Sequence, residues 1–217
     1  MTEQIKIIKI VPSGKFAKLT ISGVENSLFV PDITVYQNSL VEGVVITASQ
    51  LQILKDADEA YRCEQKAMRY LAMREHSVGE LKTKLRQKQF SEKAINPLVA
   101  KLRKLDYLND ERYAQMLIRR ISESKPGGKG YLLSHLKRKL IDNTTATHAV
   151  EHYLRDIDLK DEAVRALDKR WHRWAELELE EARIKAYNYL SRRGFNFEAA
   201  KFAFESMKTT SNEDNEN

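Results

Sequence analysis

The chain has 217 residues, of which 42% are apolar, 31% charged and 8% aromatic, with eight Gly, four Pro and one Cys. This length and apolar content suffice for a sizeable core in one large or two smaller domains, and so little Gly and Pro excludes a collagen-like, disordered or many-turned all-β chain. The lone Cys63 excludes an internal disulfide or a multi-Cys zinc site, and the net charge of +6 directs attention to acidic partners.

At the N-terminus, MTEQIKIIKIV alternates polar and apolar residues where a secretory leader needs a solid apolar block. No run approaches the ~18 apolar residues of a membrane span. A soluble protein of the reducing cytoplasm is expected. Residues 5–10 (IKIIKI) and 16–21 (FAKLTI) are short and β-branched, with Pro12 and Gly14 between them. They predict a β-hairpin. LFV at 28–30 and VVIT at 44–47 are candidates for further short strands.

From residue 47 the period becomes helical. Thr47-Ala-Ser-Gln50 fits a capping box, followed by Leu51, Leu54, Tyr61, Met68 and Leu71 at helical spacing. Ser77-Val-Gly-Glu80 is a second box, Ser91 opens a further helix, and Asn109 or Asp110 caps the next. Pro97 lies inside a predicted helix and should kink it. Lys125-Pro-Gly-Gly-Lys-Gly130 breaks the chain.

Three stretches align at a period near 50 residues. Ala67, Leu71 and Arg74 match Tyr113, Leu117 and Arg120, then Ala163, Leu167 and Arg170. Leu81, Leu85 and Phe90 match Leu132, Leu136 and Ile141, then Ala186, Leu190 and Phe195. Ile95, Val99 and Leu102 close the first copy as Ala200, Phe204 and Met207 close the last. The predicted fold is mainly α: three tandem three-helix repeats in an elongated, right-handed-type array behind a small β-hairpin unit. The expected divisions are a β-containing extension at 1–47, repeat one with its lead-in helix at 48–110, repeat two at 111–157, repeat three at 158–208, and a disordered acidic tail at 209–217.

Charge is unevenly placed: −2 over residues 1–60, +12 over 61–140 and −4 over 141–217. A basic middle suits a polyanion or an acidic protein groove. It also suits solvated helix faces, since Lys and Arg are good helix formers.

The segments Ser77-Val-Gly-Glu-Leu81, Leu102-Arg-Lys-Leu-Asp-Tyr-Leu-Asn-Asp110 and Glu111-Arg-Tyr-Ala-Gln-Met-Leu-Ile-Arg-Arg120 resemble the RecX family. Arg74, Ser77, Glu80 and Leu81 supply its R-x-x-S-x-x-E-L pattern. Tyr107, Leu108, Asn109, Asp110, Tyr113 and Ala114 supply the second pattern, and Gly128 or Gly130 before Tyr131-Leu132 supplies a Gly-containing third. The resemblance covers about residues 60–208. Two departures stand out: Asp106 where many members carry Gly, and Leu140-Ile141 in place of Gly-Ile. Both concern helix termini, where Gly supplies a left-handed cap.

The resemblance implies a regulator, mainly an inhibitor, of the RecA recombinase, acting in homologous recombination, DNA repair and the SOS response. It implies binding along the groove of the RecA–DNA filament and suppression of ATP hydrolysis, strand exchange and extension. The partners implied are RecA and its filament, with single- and double-stranded DNA as further candidates. A monomer without cofactor, catalytic residues or membrane association is expected. The candidate contact residues are Arg74, Lys82, Arg86, Lys101, Lys104, Arg119, Arg120, Lys129, Lys137, Arg138, Lys139, Arg192 and Arg193, many of which recur at matching repeat positions. A sequence-independent or helix-turn-helix DNA binder is the alternative.

Three other motifs admit two readings each. His148-Ala-Val-Glu-His152 matches the H-x-x-E-H zinc pattern with Glu151 as base, or is a solvated helix face. Gly127-Gly-Lys-Gly130 matches the G-x-x-G loop of a KH domain but not a P-loop, or is a flexible connection whose bare amides with Lys125 and Lys129 could meet a phosphate or carboxylate. Trp171 and Trp174 would stack on bases or pack into the core.

Overall fold

The hairpin forms because its two β-branched runs meet across a turn that only glycine makes without strain. In the computed structural model, which describes residues 4–215 and the side chains of residues 4–209, β1 (Ile7–Ser13) pairs antiparallel with β2 (Phe16–Ile21). Gly14 takes φ 65° at the first turn position. β3 (Leu28–Pro31) adds to β2, giving the order β1-β2-β3. The pairs Ile7/Ile21, Ile10/Leu19 and Pro12/Ala17, extended by Leu28 and Val30, set the inner face. It packs with Leu40, Ile46 and Leu54. The edge of β1 is covered: Ile7 N donates to Val44 O at 3.0 Å, and Ile10 N donates to the Glu42 carboxylate at 2.9 Å.

Two expectations are corrected here. VVIT at 44–47 contributes only an isolated bridge, Lys6 to Val45, because it closes the β1 edge and then enters a helix cap. A six-residue helix, α1 (Asp32–Gln37), follows Pro31 directly and was not expected. Its β-branched Ile33, Thr34 and Val35 favour strands, and the helix is held at its end by Asn38 Nδ2 donating to Thr34 O at 2.8 Å.

The long α2 (Ala48–Met73) begins with the expected capping box: Gln50 N donates to Thr47 Oγ1 at 3.2 Å and Thr47 N to Gln50 Oε1 at 2.9 Å. Buried Asp58 on α2 takes the Phe29 amide at 2.8 Å and Arg62 Nε at 2.7 Å, so α2 closes the β3 edge. α3 (Val78–Arg86) and α4 (Glu92–Lys104) bury Leu81, Leu85, Ile95, Leu98, Val99 and Leu102. The Ser91 hydroxyl caps α4, which continues as one helix through Pro97. The chain divides into two compact units. The first takes the chain up to His76 with Leu81–Leu108, and the second takes Ser77–Glu80 with everything from Asn109 onward.

In the second unit, α5 (Asp110–Ser124), α6 (Lys129–Arg138) and α7 (Asn143–Arg155) share a core of Tyr113, Ala114, Ile118, Leu132, Leu136, Ile141 and Ala149. α8 (Leu159–Trp171), α9 (Leu179–Arg192) and α10 (Phe197–Asn215) share another, around Ala163, Leu167, Ala186, Leu190, Phe195 and Phe204. Each fully buried Leu contributes about 1.5–3 kcal/mol. Asn109, Asp142 and Asp158 cap α5, α7 and α8 with their side-chain oxygens. α10 remains helical past residue 209, where a tail was expected to begin, up to Asn215. Residues 216 and 217 of that expected tail lie outside the described residues. No described helix is long and apolar enough to cross a membrane.

The middle helices α3, α6 and α9 end alike. Gln89, Leu140 and Gly194 take φ 63°, 55° and 73°. The next amides, of Phe90, Ile141 and Phe195, donate back to Leu85, Leu136 and Leu190 at 3.3, 3.3 and 3.1 Å. This is a left-handed helix cap followed by an apolar anchor. Asp106 does the same after α4, with φ 56° and Tyr107 N on Leu102 O at 2.9 Å. The two departures from the family's glycines therefore fall where a left-handed residue is required. Leu140 is half-exposed, so Leu140→Gly relieves backbone strain while losing little burial. It should raise unfolding stability by ~0.5–1 kcal/mol, measured by urea denaturation.

Candidate polyanion-binding site

The second unit contains one joint twice. At the first, the Ser77 hydroxyl donates to Lys139 O, Lys139 Nζ lies 3.2 Å from the Glu80 carboxylate, and Val78 N donates to Asp110 Oδ1 at 2.8 Å. A Cβ on Gly79 would collide with the Leu140 backbone. At the second, Gly128 N donates to Arg193 O at 2.8 Å, and a Cβ on Gly128 would collide with the Gly194 carbonyl. In both, the start of one middle helix supplies a donor to a carbonyl orphaned at the left-handed end of another.

The second joint is clamped by Arg193. Its guanidinium lies 4.9 Å from the Tyr131 ring centre and 5.2 Å from that of Tyr189, and Nη1 donates to Pro126 O at 3.2 Å. The Pro-Gly-Gly segment was expected to be a flexible connection or a cradle of bare amides. It is instead buried from Pro126 to Gly128 and its Gly128 amide is occupied. Glycine is needed there for close backbone approach.

Positive charge gathers at this joint. His135 sits 4.5 Å from Tyr131 by ring centres. Its pKa is held below the ordinary value by burial first, then by the charges of Arg138, Lys125 and Arg193. Burial and these charges favour the neutral imidazole, in a field that would attract an anion.

The predicted contact residues separate into three groups. Lys82 donates to Asn96 at 2.8 Å, Arg86 pairs with Glu92 at 2.5 Å, Lys101 with Glu64 at 2.6 Å and Lys129 with Glu151 at 2.6 Å. Arg74 is exposed and donates to Glu75 O at 2.7 Å. Lys139 and Arg193 belong to the joints. Lys104, Arg119, Arg120, Lys137, Arg138 and Arg192 are exposed and form no ion pair among the described residues. Of the predicted residues, Arg193 lies over Tyr131 beside His135, and Arg138, with Lys125, acts on the same imidazole through its charge. Tyr131 and His135 were missed, because their role depends on an arginine some 60 positions away.

The remaining motifs are occupied. His148 Nδ1 lies 3.2 Å from Glu111, Glu151 is the partner of Lys129, and no described group of three or more His, Cys, Asp or Glu side chains is placed to hold a metal. Trp171 packs edge-on against Phe204 and Trp174 against Tyr189, both on the α8–α10 core. Cys63 is buried. Desolvation, then Glu59 and Glu64, push its thiol up to about 11.

Two three-helix repeats with shared end geometry and a common joint define the second unit as a tandem three-helix repeat protein. The comparisons agree on which one. Residues 63–102 match the first three-helix domain of RecX, and residues 158–204 match the third. Regulatory protein RecX of Pelodictyon phaeoclathratiforme is 28% identical over 150 residues, 69% of this chain and 91% of the relative. That of Clostridium acetobutylicum is 28% identical over 167 residues, 75% of this chain and 77% of the relative. A crystal structure of regulatory protein RecX has the same fold, with TM-score 0.73 at 20% identity over 92% of this chain and 99% of that one. By its matched three-helix domains, its relatives and its fold, the chain is similar to the RecX family.

Arg193→Ala removes two ring contacts and a hydrogen bond, so it should lower stability by ~1–2 kcal/mol in urea denaturation. Arg193→Lys should recover little of that, because an ammonium cannot lie flat between two rings. Removing a cation beside an imidazole favours its protonated form, so Arg138→Gln should raise the His135 pKa, read by NMR titration.

Proposed function

We propose that this chain regulates a RecA recombinase, mainly as an inhibitor, by lying along the groove of the RecA–DNA filament. The observation that carries the reading is the cationic joint of the second unit, where Arg193 lies over Tyr131 beside His135 and the charges of Arg138, Lys125 and Arg193 act on the imidazole. Exposed Arg119, Arg120, Lys137 and Arg192 add cations with no ion pair among the described residues. Similarity to the RecX family supports the partner. Relatives of the chain carry the name regulatory protein RecX.

The mechanism follows from repetition. A filament repeats its surface at every protomer, and a protein of tandem repeats can engage successive protomers with like surfaces. Each added contact is then intramolecular, which raises avidity without new chemistry. Arg and Lys meet DNA phosphate or acidic filament surface, and the bound helices obstruct entry of duplex DNA. Suppression of ATP hydrolysis, strand exchange and extension are the consequences.

RecA's DNA-dependent ATPase, titrated with this protein at fixed salt, tests the reading. Inhibition is expected well below one molecule per protomer, since one bound molecule affects many. Lys137→Ala with Arg138→Ala should weaken inhibition without unfolding the protein, because exposed substitutions change stability by under ~0.5 kcal/mol each. Lys139 is left intact because it holds Glu80. No inhibition by the unmodified protein, together with salt-sensitive binding to bare DNA, would replace the reading with a general DNA binder.

A further inference from the structure

The strand register sorts the hairpin unit into two chemically different faces. Directly paired residues in an antiparallel sheet share a face, so the inner pairs leave Lys9/Thr20, Val11/Lys18/Phe29 and Ser13/Phe16/Pro31 together on the outer one. Tyr61 of α2 joins them, 4.5 Å from Phe16 and stacked 5.7 Å from Phe29 by ring centres. All three rings are half-buried, each retaining part of its surface in solvent. Val11 is 41% exposed on the same face, and neighbouring Ile8 is 56% exposed.

The charge of this segment is single-signed. Residues 4–24 contain four lysines, Lys6, Lys9, Lys15 and Lys18, and no Asp or Glu. All four are exposed and form no ion pair among the described residues. Of the acids around the sheet, Glu42 accepts from the Ile10 amide and Asp58 from Phe29 N and Arg62, while exposed Asp32 lies beside Lys15, away from Lys9 and Lys18 in the register. Lys18 stands directly between Val11 and Phe29 in the cross-strand row. Lysines interleaved with aromatic and apolar side chains on an open sheet are the combination that takes an unpaired strand: phosphates meet the ammonium groups while bases stack on rings. A duplex satisfies only the first requirement, since its bases are stacked on one another.

We propose that the outer face of the β1–β2–β3 sheet, with Lys9, Lys18, Phe16, Phe29 and Tyr61, is a binding site for single-stranded nucleic acid. Three strands span about 10 Å, enough for two or three bases. Apart from Tyr61 of α2, the site lies outside the repeats, and it does not depend on the recombinase reading.

The experiment uses the full chain, a fluorescein-labelled oligothymidylate of about twelve nucleotides and a duplex of equal length, read by fluorescence anisotropy across a salt series. The unmodified protein should bind the single strand more tightly than the duplex. Lys9→Gln with Lys18→Gln should weaken single-strand binding about fivefold or more and flatten the log–log salt slope by about 1.4, at ~0.7 per phosphate contact. Phe29→Leu should weaken it severalfold with the slope unchanged, and leave duplex binding as it was. Far-UV circular dichroism and a thermal melt confirm that each variant is folded, and the lysine variant decides the matter if Phe29→Leu is not. No binding of the oligothymidylate by the unmodified protein, or an unchanged affinity and slope in the lysine variant, would overturn the proposal. Equal loss of single-strand and duplex binding in a folded Phe29→Leu would overturn it too.

Discussion

A helix that ends in a left-handed residue turns its last carbonyls outward, and the second unit depends on what meets them. At Lys139 the donor is the Ser77 hydroxyl, and at Arg193 it is the Gly128 amide. Each joint matches the positive start of one helix with the negative end of another, satisfying groups that helix geometry leaves without partners. The approach is close enough that Gly79 and Gly128 have no room for a Cβ. Glycine at these positions therefore reflects packing. Mobility is not what it provides.

The joints also organise the electrostatics. With its guanidinium between Tyr131 and Tyr189, Arg193 is a clamp rather than a free cation. Even so, its charge reaches His135 together with those of Lys125 and Arg138. A structural contact and a cationic field thus occupy the same few residues. The exposed Lys137 and Arg192 stand one residue from Arg138 and Arg193 in the chain, so folding the joint also fixes where they emerge.

Local and periodic features were legible in the sequence. The Thr47 box, the caps at Ser91 and Asn109, and the repeat anchors Leu81, Leu132 and Ala186 needed only spacing to find, and the anchors are buried. The left-handed positions at Asp106 and Leu140 could be read from glycines that a resemblance led one to expect. Long-range pairing was not legible: Ser77 meets Lys139 across 62 residues and Arg193 meets Pro126 across 67. Lys137, Arg138 and Lys139 looked like one patch, but successive helix positions turn by about 100°, and Lys139 faces Glu80. Averaging charge over residues 1–60 concealed the lysines of the hairpin behind the acids that follow it. α1 was missed because its β-branched residues oppose the conformation that its flanking contacts impose.

The joint is tested most directly by amide hydrogen exchange at Gly128 in the unmodified protein. A buried amide bonded to Arg193 O exchanges only when the joint opens. Protection of Gly128 comparable to that of the α9 amides is the predicted result. Exchange at the rate of an exposed loop would mean that the Pro-Gly-Gly segment is a free linker, and would contradict the account of how these repeats are joined.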